Sequence, residues 1–359
     1  MGKLRAGVIG YGKIARTHAR MLGRDPDCAF VAACGRDPGK ADAFAREFGG
    51  SGHAGVAEMV EREKLDLVLV ATPHPLHAEH AVAALGAGAH VLVEKPLALN
   101  VAECDAMIAA AERAGRTLGA FSQRRWYPPV RRVKDAIDAG KLGTPVLGEA
   151  VMLGWRDEAY YHSDPWRGSW KGEGGGVLVN QAPHPLDILL WFMGKAVEVK
   201  AYWANLNHPY IEVEDTAVAS VRFASGALAS VTVSNSQKPG LYARVHAHGS
   251  NGASAGVQTD GGAMFVAGMT GVLEAPYVDL WTVPGEEGEM ARWKAEDAAW
   301  FASIDPTEHF HALQIRDFAE AVRSGREPAV TAREGRAVVE LVEAIYKSGR
   351  TGEAVKLPL

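Results

Sequence analysis

The chain has 359 residues, enough to bury a large core and to divide into two domains rather than one. An apolar fraction of 47%, 23% charged residues and a net charge of -5 describe an ordinary globule and exclude a polyanion-binding surface; no basic tail points to RNA or DNA. No apolar run approaches a membrane span, no export signal precedes the first strand pattern, and Cys28, Cys34 and Cys104 lack metal-like spacing, so they read as buried thiols in the cytoplasm.

Leu4 to Ile9 is an apolar strand that breaks into Gly10-Tyr11-Gly12-Lys13-Ile14-Ala15, a tight turn and a helix start. This geometry suits a dinucleotide pyrophosphate. Gly10 makes the turn, Gly12 lets backbone approach the phosphates, and the helix N-terminus offers unpaired N–H groups. Phe30 to Cys34 is a second strand, and Asp37-Pro38 opens a helix stopped by Gly49-Gly50. Leu65 to Ala71 reads as a strand buried on both faces, followed by the rigid turn Thr72-Pro73-His74-Pro75 and a helix from His77 to Leu85. His90 to Val93 is a strand ending in Glu94-Lys95-Pro96; a helix over Val101 to Ala114 and a strand over Thr117 to Phe121 complete a doubly wound α/β pattern.

Ligands collect at the carboxyl ends of such strands, which singles out Gly10–Ala15, Ala71–His77 and Glu94–Pro96. Lys95 either aims its ammonium at a substrate hydroxyl, where it would steady developing oxyanion charge, or pairs with Glu94 on the rim. Cofactor choice lies after the second strand, where an acid would bind the ribose of NAD. Here Gly35 removes bulk and charge, and Arg36 either accepts a 2′-phosphate or stacks on adenine. Asp37 reads as a helix cap. The balance favours NADP over NAD.

The character changes after Gln123: five of the nine tryptophans fall between Trp126 and Trp191. Arg156, Tyr160, Tyr161 and Trp166 lie in a segment suited either to a hydroxylated ring or to packing over the second domain. Gly174-Gly175-Gly176 leads to Asn180, His184 and Asp187, which share one face if the segment is helical. His184 is the best general-base candidate, since imidazole titrates near neutrality. Val197 to Trp203, Asp215 to Phe223, Leu228 to Ser234 and Tyr242 to Gly249 read as strands of an open, mostly antiparallel sheet with one face available to a partner subunit. The glycine-rich stretch 249–268 reads as a flexible loop or hairpin. Helices follow over Thr307 to Ser324 and Ala332 to Ser348, then an edge segment from Val355 to Leu359. His309 and His311 are two apart on a helix and point apart, and no metal is required.

Together these motifs resemble the glucose–fructose oxidoreductase / inositol dehydrogenase / rhizopine catabolism (Gfo/Idh/MocA) family over nearly the whole chain. The marks are the glycine turn, Ala71-Thr72-Pro73 with His77, Glu94-Lys95-Pro96, and the three glycines followed by His184 and Asp187. The resemblance implies a Rossmann domain over residues 1–123 and, over 124–359, an α/β domain built on a large open sheet for substrate binding and for dimer or tetramer formation. It implies an NAD(P)-dependent oxidoreductase of sugars, glycosides or cyclitols. Gly10, Gly12, Lys13, Ile14, Gly35, Arg36, Thr72, Pro73, His77, Glu94 and Lys95 would line the cofactor. Arg156, Tyr160, Tyr161, Trp166, Asn180, His184 and Asp187 would surround the substrate. Lys95 would bind the reacting hydroxyl and His184 would act as acid/base, all in one cleft. Asn180 replaces the family's frequent aspartate and cannot take a proton. A lyase or glycoside-cleaving enzyme with a retained cofactor, and a non-catalytic sugar or dinucleotide sensor, are the competing readings.

Overall fold

The computed structural model describes residues 2–261 and 274–359. Packing divides the chain into two compact units: Met1–Gln123 with Thr307–Val339, and Arg124–Pro306 with Glu340–Leu359.

The first unit alternates β1 (Leu4–Ile9), α1 (Lys13–Arg24), β2 (Cys28–Cys34), α2 (Pro38–Glu47), β3 (Ser51–His53), α3 (Val56–Glu63), β4 (Leu67–Val70), α4 (His77–Gly86), β5 (His90–Val93), α5 (Val101–Ala114) and β6 (Leu118–Ala120). Its six strands are all parallel, in the order β3-β2-β1-β4-β5-β6. The order reverses between β1 and β4, the switch point at which an open α/β sheet leaves a crevice. β4 is buried along its full length, which explains its unbroken Leu-Val-Leu-Val sequence. Asp37 accepts from Gly39 N and Lys40 N and so caps α2, as its place before Pro38 predicts.

The second unit contains α6 (Pro128–Asp138), β7 (Pro145–Leu153), α7 (Glu158–His162), α8 (Val177–Asn180), α9 (Pro183–Met193), β8 (Ala196–Ala204), β9 (Thr216–Phe223), β10 (Leu228–Ser234), β11 (Tyr242–Gly249), β12 (Ser254–Gly261), β13 (Tyr277–Trp281) and α10 (Glu289–Phe301). The chain ends with α11 (Pro306–Ser324), α12 (Ala332–Thr351) and β14 (Val355–Lys356). Eight strands pair in the order β13-β12-β11-β7-β10-β9-β8-β14, antiparallel except for β7 against β10. One face buries Ala150, Met152, Val231 and Val245 on the side covered by α9. Leu147, Tyr202, Val218 and Leu228 stand exposed on the other. β12 occupies part of the stretch expected as a loop or hairpin, and residues 262–268 of that stretch lie outside the described residues.

A single division at residue 123 does not describe the packing, because residues 307–339 belong with the first unit. The reason is α11. It buries His311, Ile315, Phe318 and Ala319 in the same core as Val8, Leu69 and Phe121. Gln314 ties it to the sheet, accepting from Ser122 N (2.9 Å) and donating to Ala120 O (2.7 Å). Phe318→Ala, at a ring 1% exposed, is therefore expected to destabilise the first unit. The expected loss is about 3–5 kcal/mol in a denaturant titration.

Candidate active site

At the end of β1, Gly10 has φ +112°, and a Cβ there would lie 2.6 Å from Ala71 O at the end of β4. Only glycine allows the two strand ends this close. Gly12 precedes α1 with no side-chain cap, and no atom lies within 4 Å of a Cβ placed on it. The first N–H groups of α1, including those of Lys13 and Ile14, thus have an open approach, which suits a pyrophosphate.

The end of β2 differs in one respect from the sequence reading. Gly35 is buried, and a Cβ on it would run into the Tyr11 ring. The missing side chain makes room for Tyr11 as well as removing a carboxylate. Arg36 next to it is exposed.

The β4 and β5 ends are braced by His77, expected as a cofactor contact. Its ring is fully buried, with Nδ1 2.8 Å from Pro96 O and Nε2 2.9 Å from Thr72 O. Burial lowers its pKa, so the neutral ring donates to one carbonyl at a time. His77 is a strut between two turns, and no face of it is open to a cofactor. Glu94 is likewise 8% exposed. Its Oε1 accepts from His18 Nε2 (2.8 Å) and its Oε2 from Lys95 N (3.1 Å). Burial pushes this carboxyl up, but the His18 bond and the charges around it, Lys95 included, hold it down to about 2. His18 stacks on Phe121 at 4.7 Å, with His311 of α11 against both rings. Burial lowers His311 to about 4. Sequence reasoning missed His18 and His311 because they are separated from Glu94 by long stretches of chain. Lys95 itself is half-buried.

In the second unit the segment 155–187 is built around buried polar groups. Helix α8 ends at Asn180 and α9 begins at Pro183, so Asn180, His184 and Asp187 do not share one continuous helix. Asn180 Nδ2 donates to Tyr160 Oη (3.0 Å) and to Glu173 Oε1. Tyr160 Oη also receives Arg167 and Gln181 Nε2 (3.2 Å), and the Arg167 guanidinium lies 4.4 Å from the Trp166 ring centroid. Tyr161 Oη accepts from Asn235 Nδ2 (3.3 Å). Both tyrosines are buried, and burial raises both phenols. They support the segment from within and do not face a substrate. Asp187 is a second correction: its carboxylate forms a buried, two-point pair with Arg125, at 2.8 Å to Nε and 2.6 Å to Nη2. Arg156 is buried with its Nε unpartnered, its Nη1 on Trp155 O and its guanidinium 5.2 Å from the Tyr160 centroid. His208, unremarked in the sequence, underlies it: Nε2 donates to Arg156 O (2.8 Å) and Nδ1 to Asp215 (2.7 Å). Asn180, His184 and Trp166 are half-exposed. Lys95 belongs to the first unit and His184 to the second.

The last glycine of the triplet is explained by Glu214. A Cβ at Gly176 would overlap Glu214 O, and the buried Glu214 carboxyl accepts from Gly176 N (2.9 Å), Leu178 N (3.0 Å) and Tyr346 Oη (2.9 Å).

A parallel sheet with a glycine turn at its switch point, an uncapped helix behind that turn, and a lysine held at a neighbouring strand end define a Rossmann-fold, nicotinamide-dependent oxidoreductase. Residues 4–121 match the oxidoreductase family with an NAD-binding Rossmann fold, and residues 130–255 match the GFO/IDH/MocA C-terminal domain. The chain belongs to the GFO/IDH/MocA family of oxidoreductases. It is 33% identical to a 1-carboxy-3-chloro-3,4-dihydroxycyclo hexa-1,5-diene dehydrogenase of Comamonas testosteroni over 64% of this chain; the match spans 58% of that protein. Over 99% of its length it is 26% identical to a scyllo-inositol 2-dehydrogenase (NAD(+)) of Bacillus subtilis, covering 96% of that chain. The solved WlbA dehydrogenase of Bordetella pertussis, in complex with NADH and UDP-GlcNAcA, superposes with a TM-score of 0.86 at 29% identity, covering 100% of this chain and 99% of that one.

Burial raises Glu214 to about 7, against an ordinary value of 4.5. The unfolded chain releases this proton near 4.5 while the folded chain keeps it, so the group's contribution is full below 4.5 and is lost as pH rises to about 7. The loss is about 3 kcal/mol. Melting temperatures of wild type and Glu214→Gln across about pH 4.5–7 check this: wild type should fall more steeply than the variant, which cannot ionise there.

Proposed function

We propose that the protein transfers a hydride between a nicotinamide dinucleotide and a hydroxyl-bearing carbon of a sugar, glycoside or cyclitol. The observation that carries this reading is the fixed β5 end. Glu94 holds the Lys95 backbone and, through His18, the helix whose N-terminus would meet the pyrophosphate. The nicotinamide, when bound, accepts or returns the hydride. Lys95 holds the reacting oxygen and stabilises negative charge on it. His184 removes the hydroxyl proton on oxidation and returns it on reduction. Asn180 hydrogen-bonds a further hydroxyl, and the half-exposed Trp166 covers C–H surface of the ring. Names of relatives such as the scyllo-inositol dehydrogenase support a polyol substrate.

A spectrophotometric screen of polyols, aldoses, glycosides and nucleotide sugars with both cofactors tests the substrate class at the nicotinamide band. With the substrate so found, His184→Ala should lower kcat by roughly 10²–10⁴-fold and leave cofactor Kd nearly unchanged. Lys95→Ala should damage KM as well as kcat, and Asn180→Ala should be milder. Turnover of His184→Ala within about threefold of wild type would move proton transfer to another group.

The same reading takes NADP as the preferred cofactor. Arg36 is exposed beside Gly35, and Asp37, the nearest carboxylate in sequence, is committed to capping α2. Dissociation constants for both cofactors should favour NADP, and Arg36→Ala should weaken NADP more than NAD. A tenfold preference for NAD in wild type, about 1.4 kcal/mol, would reverse the assignment.

Copies of the chain associate as a dimer or tetramer through the exposed face of the second sheet, where Leu147, Tyr202, Val218 and Leu228 need cover. The protein works in the cytoplasm, a reading supported by three buried cysteines that form no disulfide, of which Cys28 and Cys34 are pushed by burial to about 12 and 11. Among the described residues no helix is long and apolar enough to cross a membrane.

A further inference from the structure

The second sheet carries a cluster that the redox reading does not use. His246 and His248 alternate on β11 and therefore project from the same face. Glu149 of β7 stands directly opposite His246 in the antiparallel register, also on that face. One ligand atom from each of the three lies within 4.8 Å of the other two. His246 Nδ1 is 4.0 Å from Glu149 Oε2, too long for a hydrogen bond. The three groups converge without bonding to one another.

The surroundings orient the imidazoles. His246 Nε2 donates to both Asp279 oxygens at 3.0 Å, which fixes the tautomer and leaves the Nδ1 lone pair facing Glu149. Two local features make that bond possible. Gly256 of β12 lies opposite His246, and a Cβ there would overlap the ring. The register of β12 against β13 shifts between Gly256 and Val257, so Asp279 is the extra residue of a bulge that turns it toward His246. His248 Nδ1 engages Ser254 Oγ at 2.8 Å, leaving Nε2 for a ligand.

We propose that Glu149, His246 and His248 bind one divalent metal ion of the zinc class on the outer face of the second sheet. Two imidazoles and one carboxylate are a zinc donor set with the fourth position left to water. Zinc at about 2.0–2.1 Å from each donor sets tetrahedral ligand atoms roughly 3.3 Å apart, so closing the site needs side-chain shifts of about an ångström. Asp279 acts as the outer carboxylate that orients a ligating histidine. No metal is expected from the sequence, where His309 and His311 are poorly spaced on a helix; Glu149, His246 and His248 come together only across a strand pair.

The test uses full-length, tag-free protein stripped with a chelator, in whatever oligomer it forms. Zn2+ bound after equilibrium dialysis is counted, and Co2+ is titrated with its visible d–d absorption as the readout of ligand geometry. One equivalent of Zn2+ per chain and a tetrahedral-type Co2+ band are expected. His248→Ala and Glu149→Gln should each abolish the band and weaken Zn2+ at least tenfold, and Asp279→Asn should weaken it roughly 10–100-fold. Unchanged circular dichroism and unchanged redox turnover of the metal-free variants would show that the fold and the active site are intact. Wild type with no stoichiometric Zn2+, or His248→Ala and Glu149→Gln binding as wild type does, would overturn the proposal.

Discussion

A carboxylate 8% exposed cannot stay ionised without donors, and the first unit is arranged around meeting that demand at Glu94. One oxygen takes the His18 ring and the other the Lys95 backbone N–H. His18 lies on α1, whose first turn has no side-chain cap; Lys95 is the residue after Glu94 at the end of β5. One buried charge therefore fixes α1 relative to Lys95, the lysine proposed to hold the reacting oxygen. His18 Nδ1 has no partner, so the ring carries its proton on Nε2, where the carboxylate needs it. His311 closes the cluster from α11, so the return of the chain to this unit completes the surroundings of Glu94 as well as the core.

The second unit meets a different constraint. An irregular buried segment leaves backbone N–H groups without regular partners, and two acidic side chains supply acceptors. Glu173 accepts from Gly168 N and Glu214 from Gly176 N and Leu178 N. This also accounts for Asn180, where the family often has aspartate. The Asn180 amide donates to Glu173, which is 1% exposed; an aspartate would set a second carboxylate against this buried one. The neutral amide is the residue that its neighbour requires.

What the sequence made legible was short-range. The glycine turn, the buried β4, the capped start of α2 and the strands from Ala196 to Gly249 all follow from spacing within a few residues. What it left dark depends on partners far along the chain. Asp187 and Arg125 are 62 residues apart, Glu94 and His18 are 76, and Glu214 and Tyr346 are 132. No local pattern reveals that Asp187 is already paired, or that His77 is a strut between turns. Glycine content also misled: in 249–261 it accompanies a strand, because a neighbouring ring needs the space of a Cβ at Gly256. The break between α8 and α9 falls just before Pro183, which has no N–H to continue a helix, and Gln181 in the gap bonds Tyr160 and Asn235.

Burial then sorts the expected site residues by what each can do. His77, Glu94, Tyr160, Tyr161 and Asp187 are almost wholly enclosed, with polar atoms bonded inside the protein. They can position other groups, but a solute does not reach them. Tyr161 illustrates why this matters for proton transfer. Burial raises its phenol further above neutrality and Asn235 donates to its oxygen, so it is a poor base at physiological pH. Lys95, Asn180 and His184 retain exposure. An amide does not titrate, and of the two ionisable side-chain types only imidazole ordinarily does so near neutrality, which is why the proposal gives proton transfer to His184.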